Sequence, residues 1–363
     1  MYWPTLLVHV LLATATVTTV AAPLVIAHRG ASGHRPDHTL ESYRLAIEMG
    51  ADFIEPDLVA TRDGHLVARH EPEISETTDV AKRPEFADRR RTLVIDGIET
   101  AGWFTIDFTL EELRTLRARQ PRADRSKAYD GLYTVPTLEE IIQLAQRESK
   151  ARGRAVGIYP ETKHPSWHCA MGLALEPKLL DILAASGWNQ RDAPVYVQSF
   201  EAGNLKWLRQ RTSLKLVQLI GAAGLDEHGA ALAAPPVEQS GCTLYPVGEL
   251  PRDFTQPEAF RQIAEYADGV GPWKRWIVGA KPTSEATQSP LESARHAAQP
   301  TEFVALAHAA ELVVHPWTFR DEPMHLLIDY GGDPAAEYRQ FATLGVDAVF
   351  SDFPDTALRA LGR

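Results

Sequence analysis

Three features of this 363-residue sequence predict a (β/α)₈ TIM barrel of the α/β class, with a subdomain inserted after the second strand. Short apolar runs alternate with amphipathic stretches from residue 24 onward. Roughly eight such strand–helix units follow one another, the number that closes a barrel. Chemically capable side chains stand at the ends of many successive apolar runs. A closed barrel gathers all its strand ends around one mouth, whereas a doubly wound open sheet, the main competitor, gathers few.

Residues 24–27, Leu-Val-Ile-Ala, read as a buried strand. Residues 39–49 put Leu40, Tyr43, Ala46 and Ile47 on one stripe and read as a helix. Residues 53–60 read as a strand that turns at Asp63-Gly64 and returns through 66–69. Helices are expected over 110–116 and 138–146. The second opens on Thr137-Leu138-Glu139-Glu140, a capping box with threonine followed three residues later by glutamate. Strands over 155–159, 195–198 and 214–220 are separated by helices near 173–185 and 202–210. Strands over 269–273, 312–317 and 348–350, with helices near 302–309 and 334–344, complete the pattern. Residues 71–133 are too long for one strand-to-helix loop and read as the inserted subdomain. Residues 274–300, rich in Ser, Thr, Ala and Pro, read as an exposed loop.

Charged residues make up 23% of the chain and hydrophobic ones 44%, a globular balance. The net charge of -11 excludes the basic footprint of a nucleic-acid groove. An anionic substrate must therefore be held by local cations or a metal. Residues 1–22 contain no Asp, Glu, Lys or Arg, are mostly apolar and threonine, and end Val20-Ala21-Ala22. This resembles a secretory signal peptide, so an exported protein, periplasmic or extracellular, is expected without stable membrane insertion. Residues 23–363 then form the barrel domain. Cys169 and Cys242 either join in the exported chain or remain two buried thiols.

Residues two apart on a strand share a face, so Glu55 and Asp57 point together. Two adjacent carboxylates with nothing basic between them repel unless a cation intervenes. Oxygen-only ligands select Ca²⁺ or Mg²⁺ over Zn²⁺. Glu161 and Lys163 repeat the spacing on a later strand: the glutamate could complete a three-carboxylate site and the lysine hold a phosphate oxygen. Taken alone, that pair also reads as a surface ion pair. His28 and His70, each at the end of an apolar run beside a cation or carboxylate, are candidate proton handlers for displacement at a phosphodiester. Arg29 offers two donors to a phosphate. His34, His38, His65, His164, His168, His308 and His315 have no comparable company in sequence and are expected to be packing or surface residues. Trp273, Trp317, Phe319 and Phe200 follow later strands and either wall the mouth against a small organic group or simply form the barrel rim.

The motifs His28-Arg29-Gly30-Ala31-Ser32-Gly33, Asp37-His38-Thr39-Leu40-Glu41-Ser42, Glu55-Pro56-Asp57-Leu58 and Thr61-Arg62-Asp63-Gly64 closely resemble the opening of glycerophosphodiester phosphodiesterases. So do Arg69-His70-Glu71, Tyr159-Pro160-Glu161-Thr162-Lys163-His164, Gln198-Ser199-Phe200, His315-Pro316-Trp317 and Ser351-Asp352-Phe353-Pro354-Asp355. The chain is most similar to the exported, periplasmic branch of that family. The resemblance implies His28 and His70 as the acid/base pair, and Glu55, Asp57 and Glu161 as ligands of one divalent cation, Ca²⁺ first and Mg²⁺ as the alternative. It implies Arg29 and Lys163 on the phosphate, with Gln198, Phe200 and Trp317 also at the substrate. Two departures stand out: the family's common Pro-Glu-Asn-Thr is here Pro36-Asp37-His38-Thr39, and Glu71 replaces a frequent aspartate.

The implied activity is metal-dependent hydrolysis of a small glycerophosphodiester to glycerol 3-phosphate and an alcohol. A phospholipase-D-like barrel acting on intact lipids would need an apolar rim, and no long apolar stretch follows Ala22. A non-catalytic binding protein on this barrel would have lost some of the two histidines and three carboxylates, and all are present.

Overall fold

A computed structural model of the protein describes residues 22–234, 242–246, 248–283 and 291–363. Residues 1–21 of the expected leader lie outside the described residues. The barrel strands are β1 (Leu24–His28), β2 (Phe53–Glu55, resuming as Asp57–Ala60), β3 (Gly157–Ile158, resuming as Glu161–Thr162), β4 (Tyr196–Ser199), β5 (Lys215–Ile220), β6 (Gly269–Pro272), β7 (Val313–Val314) and β8 (Ala348–Ser351). From β1 to β7 each pairs in parallel with the next in chain order. β8 returns to β1, with Leu24 opposite Ala348. The β7–β8 seam is closed by Asp347 N–H to the Val314 carbonyl (2.9 Å) and Phe350 N–H to the Pro316 carbonyl (3.1 Å). The ring is therefore a closed barrel rather than an open sheet.

The expected single strand over 53–60 is interrupted at Pro56, which has no N–H to give the ladder. Its carbonyl still accepts from Glu161 N–H (3.0 Å), so register is kept across the break. That register matters for the site. It places His28 opposite Glu55, Asp57 opposite Glu161, and Glu161 opposite Gln198, at the ends of four adjacent strands.

Outside the strands lie α1 (Leu40–Met49), α2 (Leu138–Arg152), α3 (Leu175–Ala185), α4 (Ala202–Arg209), α5 (Pro257–Ala264), α6 (Phe303–Ala309), α7 (Pro334–Thr343) and α8 (Pro354–Ala360). Thr137 and Glu140 form the expected capping box of α2, and the helix runs past residue 146 until Gly153 caps it in a left-handed conformation. Residues 110–116 contain only the short helix Leu110–Leu113. The helices bury one continuous apolar shell against the barrel, including Ile47, Ile54, Ile142, Leu179, Leu205, Phe260 and Phe341. Inside the barrel, Ile26, Tyr159, Tyr196, Val217 and Phe350 fill the lumen, with the Tyr159 and Tyr196 rings stacked at 4.9 Å. His315 joins this plug through Tyr159 Oη (2.8 Å), so it is a packing histidine.

Residues 71–133 carry the antiparallel pair Arg91–Ile95 and Ile98–Gly102 and a core of their own. Ile74, Val80, Phe86, Trp103, Phe108 and Leu116 pack there against Val59 and Val67 of the barrel's second strand and its return. Residues 274–300 are not an exposed loop. Val278–Pro282 pairs with Arg295–Pro300, and residues 284–290 lie outside the described residues. Lys274 and Arg275 are buried because Glu337 and Glu292 neutralise them. Cys169 and Cys242 form a disulfide, with Cα atoms 5.5 Å apart.

Glu176, fully buried on α3, accepts from the Asn204 amide and the Tyr245 hydroxyl. Burial lifts its carboxyl from 4.5 to about 7. The folded chain therefore holds a proton that the unfolded chain releases, and this group makes stability fall as pH rises from about 4.5 to about 7. Thermal melts across that window should show a shallower fall for Glu176→Gln than for the unaltered protein.

Candidate active site

The turn after β1 is shaped by Gly30, whose φ of 87° lies in the left-handed region. A Cβ there would come within 2.8 Å of the Ser42 carbonyl carbon, so the chain can fold back onto α1 only with glycine. The fold-back aims the Arg29 N–H at Glu55 Oε2 (2.7 Å). Gln198 on β4 donates to the other oxygen, Oε1 (3.1 Å).

Glu55, Asp57 and Glu161 each offer an oxygen within 4.8 Å of the others, and all three are buried. Burial, then the charges of Asp57 and Glu161, push the Glu55 carboxyl well above its usual range. Burial also lifts Glu161, to about 8, against the pull of Lys163. Asp57 Oδ1 is buried without a hydrogen-bond partner. Its Oδ2 accepts from His38 Nε2 (2.9 Å), and His38 is braced by Tyr43 Oη (2.9 Å). Three crowded carboxylates with an orphaned oxygen among them fit a hard divalent cation.

A cavity opens above the triad. His28, Arg29, Glu55, His70, Glu161, Lys163, Gln198, Phe200 and Trp317 line it, and Asp57 lies beneath. The nine lining residues and Asp57 are all the site residues expected from sequence, brought to one place. Lys163 Nζ sits 3.0 Å from Glu161 Oε1 and 3.4 Å from His70 Nε2. Arg29 Nε lies 3.6 Å from Asp57 Oδ2 and its Nη1 3.4 Å from Asp37 Oδ2, so two carboxylates hold the guanidinium at the cavity. Phe200 and Trp317 meet edge to face (5.8 Å) on one wall. Phe319, expected at the mouth, is instead fully buried and stacks on Tyr338 (5.0 Å). Trp273 lines an adjoining hollow that shares Trp317 and Arg320 with the main cavity.

Sequence reasoning missed several partners. His28 Nδ1 donates to Asp352 Oδ1 (2.5 Å), and Asp352 Oδ2 accepts from Arg125 (2.5 Å) and Arg320 (2.9 Å). Burial holds the His28 imidazole down at about 4, so it is neutral near physiological pH. His70 Nδ1 faces Glu71 Oε1 at 2.9 Å. Partial burial, then Arg29 and Lys163, lower the pKa of His70 as well. Six of the seven histidines without comparable company in sequence have hydrogen-bonded partners; His34 meets Asp355 and His308 meets Asp347, both at 2.9 Å. His38 holds Asp57, His164 bonds Glu71 and Asp96, His168 ties its ring to the Lys163 and Ala60 backbone, and His315 plugs the lumen. Asp352 was visible as an acid just past the last strand, where a barrel aims side chains at its mouth.

The model of the glycerophosphoryl diester phosphodiesterase family matches residues 28–356. A glycerophosphodiester phosphodiesterase of Arabidopsis thaliana is 34% identical over 357 residues, covering 94% of this chain and 86% of that protein. One from Haemophilus influenzae is 31% identical over 361 residues, covering 93% and 89%. Among solved structures, a glycerophosphoryl diester phosphodiesterase from Silicibacter pomeroyi superposes with a TM-score of 0.60 at 21% identity, covering 94% of this chain and 93% of that one. An Oleispira antarctica phosphodiesterase in complex with sn-glycerol-3-phosphate gives 0.55 at 19% identity, covering 94% and 98%. These two likenesses speak to the barrel; the family match and the two sequence relatives, each spanning over nine-tenths of the chain, establish descent. The chain belongs to the glycerophosphoryl diester phosphodiesterase family.

Proposed function

We propose that this protein hydrolyses glycerophosphodiesters to glycerol 3-phosphate and an alcohol, with one divalent cation, Ca²⁺ first and Mg²⁺ second, at Glu55, Asp57 and Glu161. The observation that carries the reading is the meeting of the buried acidic triad with His28 and His70 around one cavity. The cation, when bound, would neutralise the triad and polarise a phosphodiester oxygen. The rest falls to side chains. Arg29 and Lys163, both at the cavity, bind the phosphate and balance charge that grows on it. Asp352 and Glu71 hold the Nδ1 sides of His28 and His70, which leaves each Nε2 for proton transfer. The ring that acts as base is neutral and takes at Nε2 the proton of the attacking water, or of the substrate's own glycerol hydroxyl. The ring that acts as acid enters the step as imidazolium and gives its Nε2 proton to the departing alkoxide. Where the glycerol hydroxyl attacks first, water then opens the cyclic phosphate. Phe200 and Trp317 exclude water on one side, and Gln198 orients Glu55.

We also read the protein as exported, in the manner of the periplasmic branch of the family. The Cys169–Cys242 disulfide supports this, since such pairs persist in oxidising compartments. No helix among the described residues is long and apolar enough to cross a membrane. Mass spectrometry of the native protein from its compartment should find an N-terminus at about residue 23, after the leader.

The activity is tested by measuring glycerol 3-phosphate release from glycerophosphocholine, glycerophosphoethanolamine and glycerophosphoglycerol, with and without chelator. Release that depends on added divalent ion is expected. No release from any of them would overturn the reading.

A further inference from the structure

His70 is held by a row of side chains that begins in the inserted subdomain. Glu71 Oε1 accepts a hydrogen bond from His70 Nδ1–H (2.9 Å), while Glu71 Oε2 accepts from His164 Nε2 (2.8 Å). His164 Nδ1 in turn donates to Asp96 Oδ2 (2.5 Å). A ring with a carboxylate on each nitrogen satisfies both only by carrying both protons. Burial alone would lower His164, but its hydrogen bonds to Asp96 and Glu71 outweigh that and raise it to about 9. Charge alternates along the row: neutral His70, anionic Glu71, cationic His164, anionic Asp96.

Two further observations fix the direction of His70. Lys163 Nζ, which can only donate, lies 3.4 Å from Nε2, so that nitrogen carries a lone pair and the proton sits on Nδ1. His28 shows the same device, with Nδ1 on Asp352, but there the carboxylate is balanced by two guanidinium groups, those of Arg125 and Arg320. The backbone places both outer members of the row. Asp96 (φ 47°) and Gly97 (φ 81°) form the two-residue turn of the subdomain hairpin, which sets where the Asp96 carboxylate stands. His164 (φ 43°), just before the helix Pro165–Ala170, is also left-handed.

We propose that Asp96 and His164 are positioning residues: through Glu71 they hold His70 with Nδ1 protonated and the Nε2 lone pair at the cavity, so the inserted subdomain completes the site. This rests on the reading of His70 as a proton-transfer group. Around the His70 ring stand Glu71, Arg29, Lys163, Asp57 and Asp37; around His164 stand Asp96, Glu71, Lys163, His168 and Glu201. Removing the charge on His164 leaves Glu71 uncompensated, tightens its hold on the Nδ1 proton and makes His70 more basic.

The test uses the full chain, saturated with Ca²⁺, and glycerophosphocholine across a pH series. Asp96→Asn and His164→Asn are suited to it, because asparagine tolerates the left-handed conformation at both positions. Each should lower kcat by roughly 10–100-fold with little change in KM. The pH limb that flattens in His70→Ala should move upward by about one unit. Asp96→Glu, which keeps the carboxylate, should restore the profile. If both asparagine variants keep the wild-type profile, or lose activity only in step with their melting temperature, the inference is overturned. Absence of turnover in the unaltered protein overturns the hydrolase reading and this inference with it, whereas normal turnover with unmoved profiles overturns this inference alone.

Discussion

Alanine at His28 or His70 should lower turnover of glycerophosphocholine by roughly 10²–10⁴-fold, the usual worth of a positioned acid or base. Both rings border the cavity rather than the apolar core, so melting temperatures should change little. The double variant should be little slower than the slower single one, because the two transfers serve one displacement. Each single variant should lose one limb of a bell-shaped pH profile. A nitrophenyl ester, whose leaving group departs without a proton, should rescue only the variant that lost the acid, and that result assigns the two roles. Near-native turnover in both single variants on glycerophosphocholine would remove the histidines from the mechanism.

Exhaustive chelation should abolish turnover, and Ca²⁺ or Mg²⁺ should restore it better than Zn²⁺, because the triad offers oxygen alone. Glu55→Gln and Asp57→Asn should fold, since each sits at a strand end beneath the cavity. They should lose the stabilisation that Ca²⁺ gives the unaltered protein, roughly 2.7 kcal/mol at about 100 times Kd. Without ion, Glu55→Gln should melt at or above the unaltered protein, because burial and the charges of Asp57 and Glu161 disfavour its carboxylate. Asp57→Asn should instead melt lower, because His38 and Lys163 favour the Asp57 carboxylate against its burial. Full activity in chelated protein, or an unchanged Ca²⁺ response in both variants, would remove the metal from the triad.

The acidic triad was legible because strand periodicity is local. Glu55 and Asp57 share a face by spacing alone, and Glu161 with Lys163 repeats it. Capping at Thr137 was legible for the same reason. The partners that tune these groups were not, because they arrive from far along the chain. Asp352 is 324 residues from His28, and Asp96 reaches His164 from a separate hairpin. His38 looked isolated because its target, Asp57, lies on another strand. The paired strands at Val278–Pro282 and Arg295–Pro300 were hidden by loop-like composition. Their anchors, Lys274 and Arg275, are buried only because Glu337 comes to them from α7. Phe319 follows the last strand-like run before β8, yet its ring turns outward to Tyr338 and Phe341 of α7 rather than into the mouth.

A crystal structure of the protein grown with Ca²⁺ and glycerol 3-phosphate tests the central claim most directly. The account predicts one ion bound by oxygens of Glu55, Asp57 and Glu161 at about 2.3–2.6 Å. The phosphate should lie beside that ion, within hydrogen-bond reach of Arg29 and Lys163 and flanked by Nε2 of His28 and His70. An ion held elsewhere, or a phosphate bound away from both histidines, would contradict it.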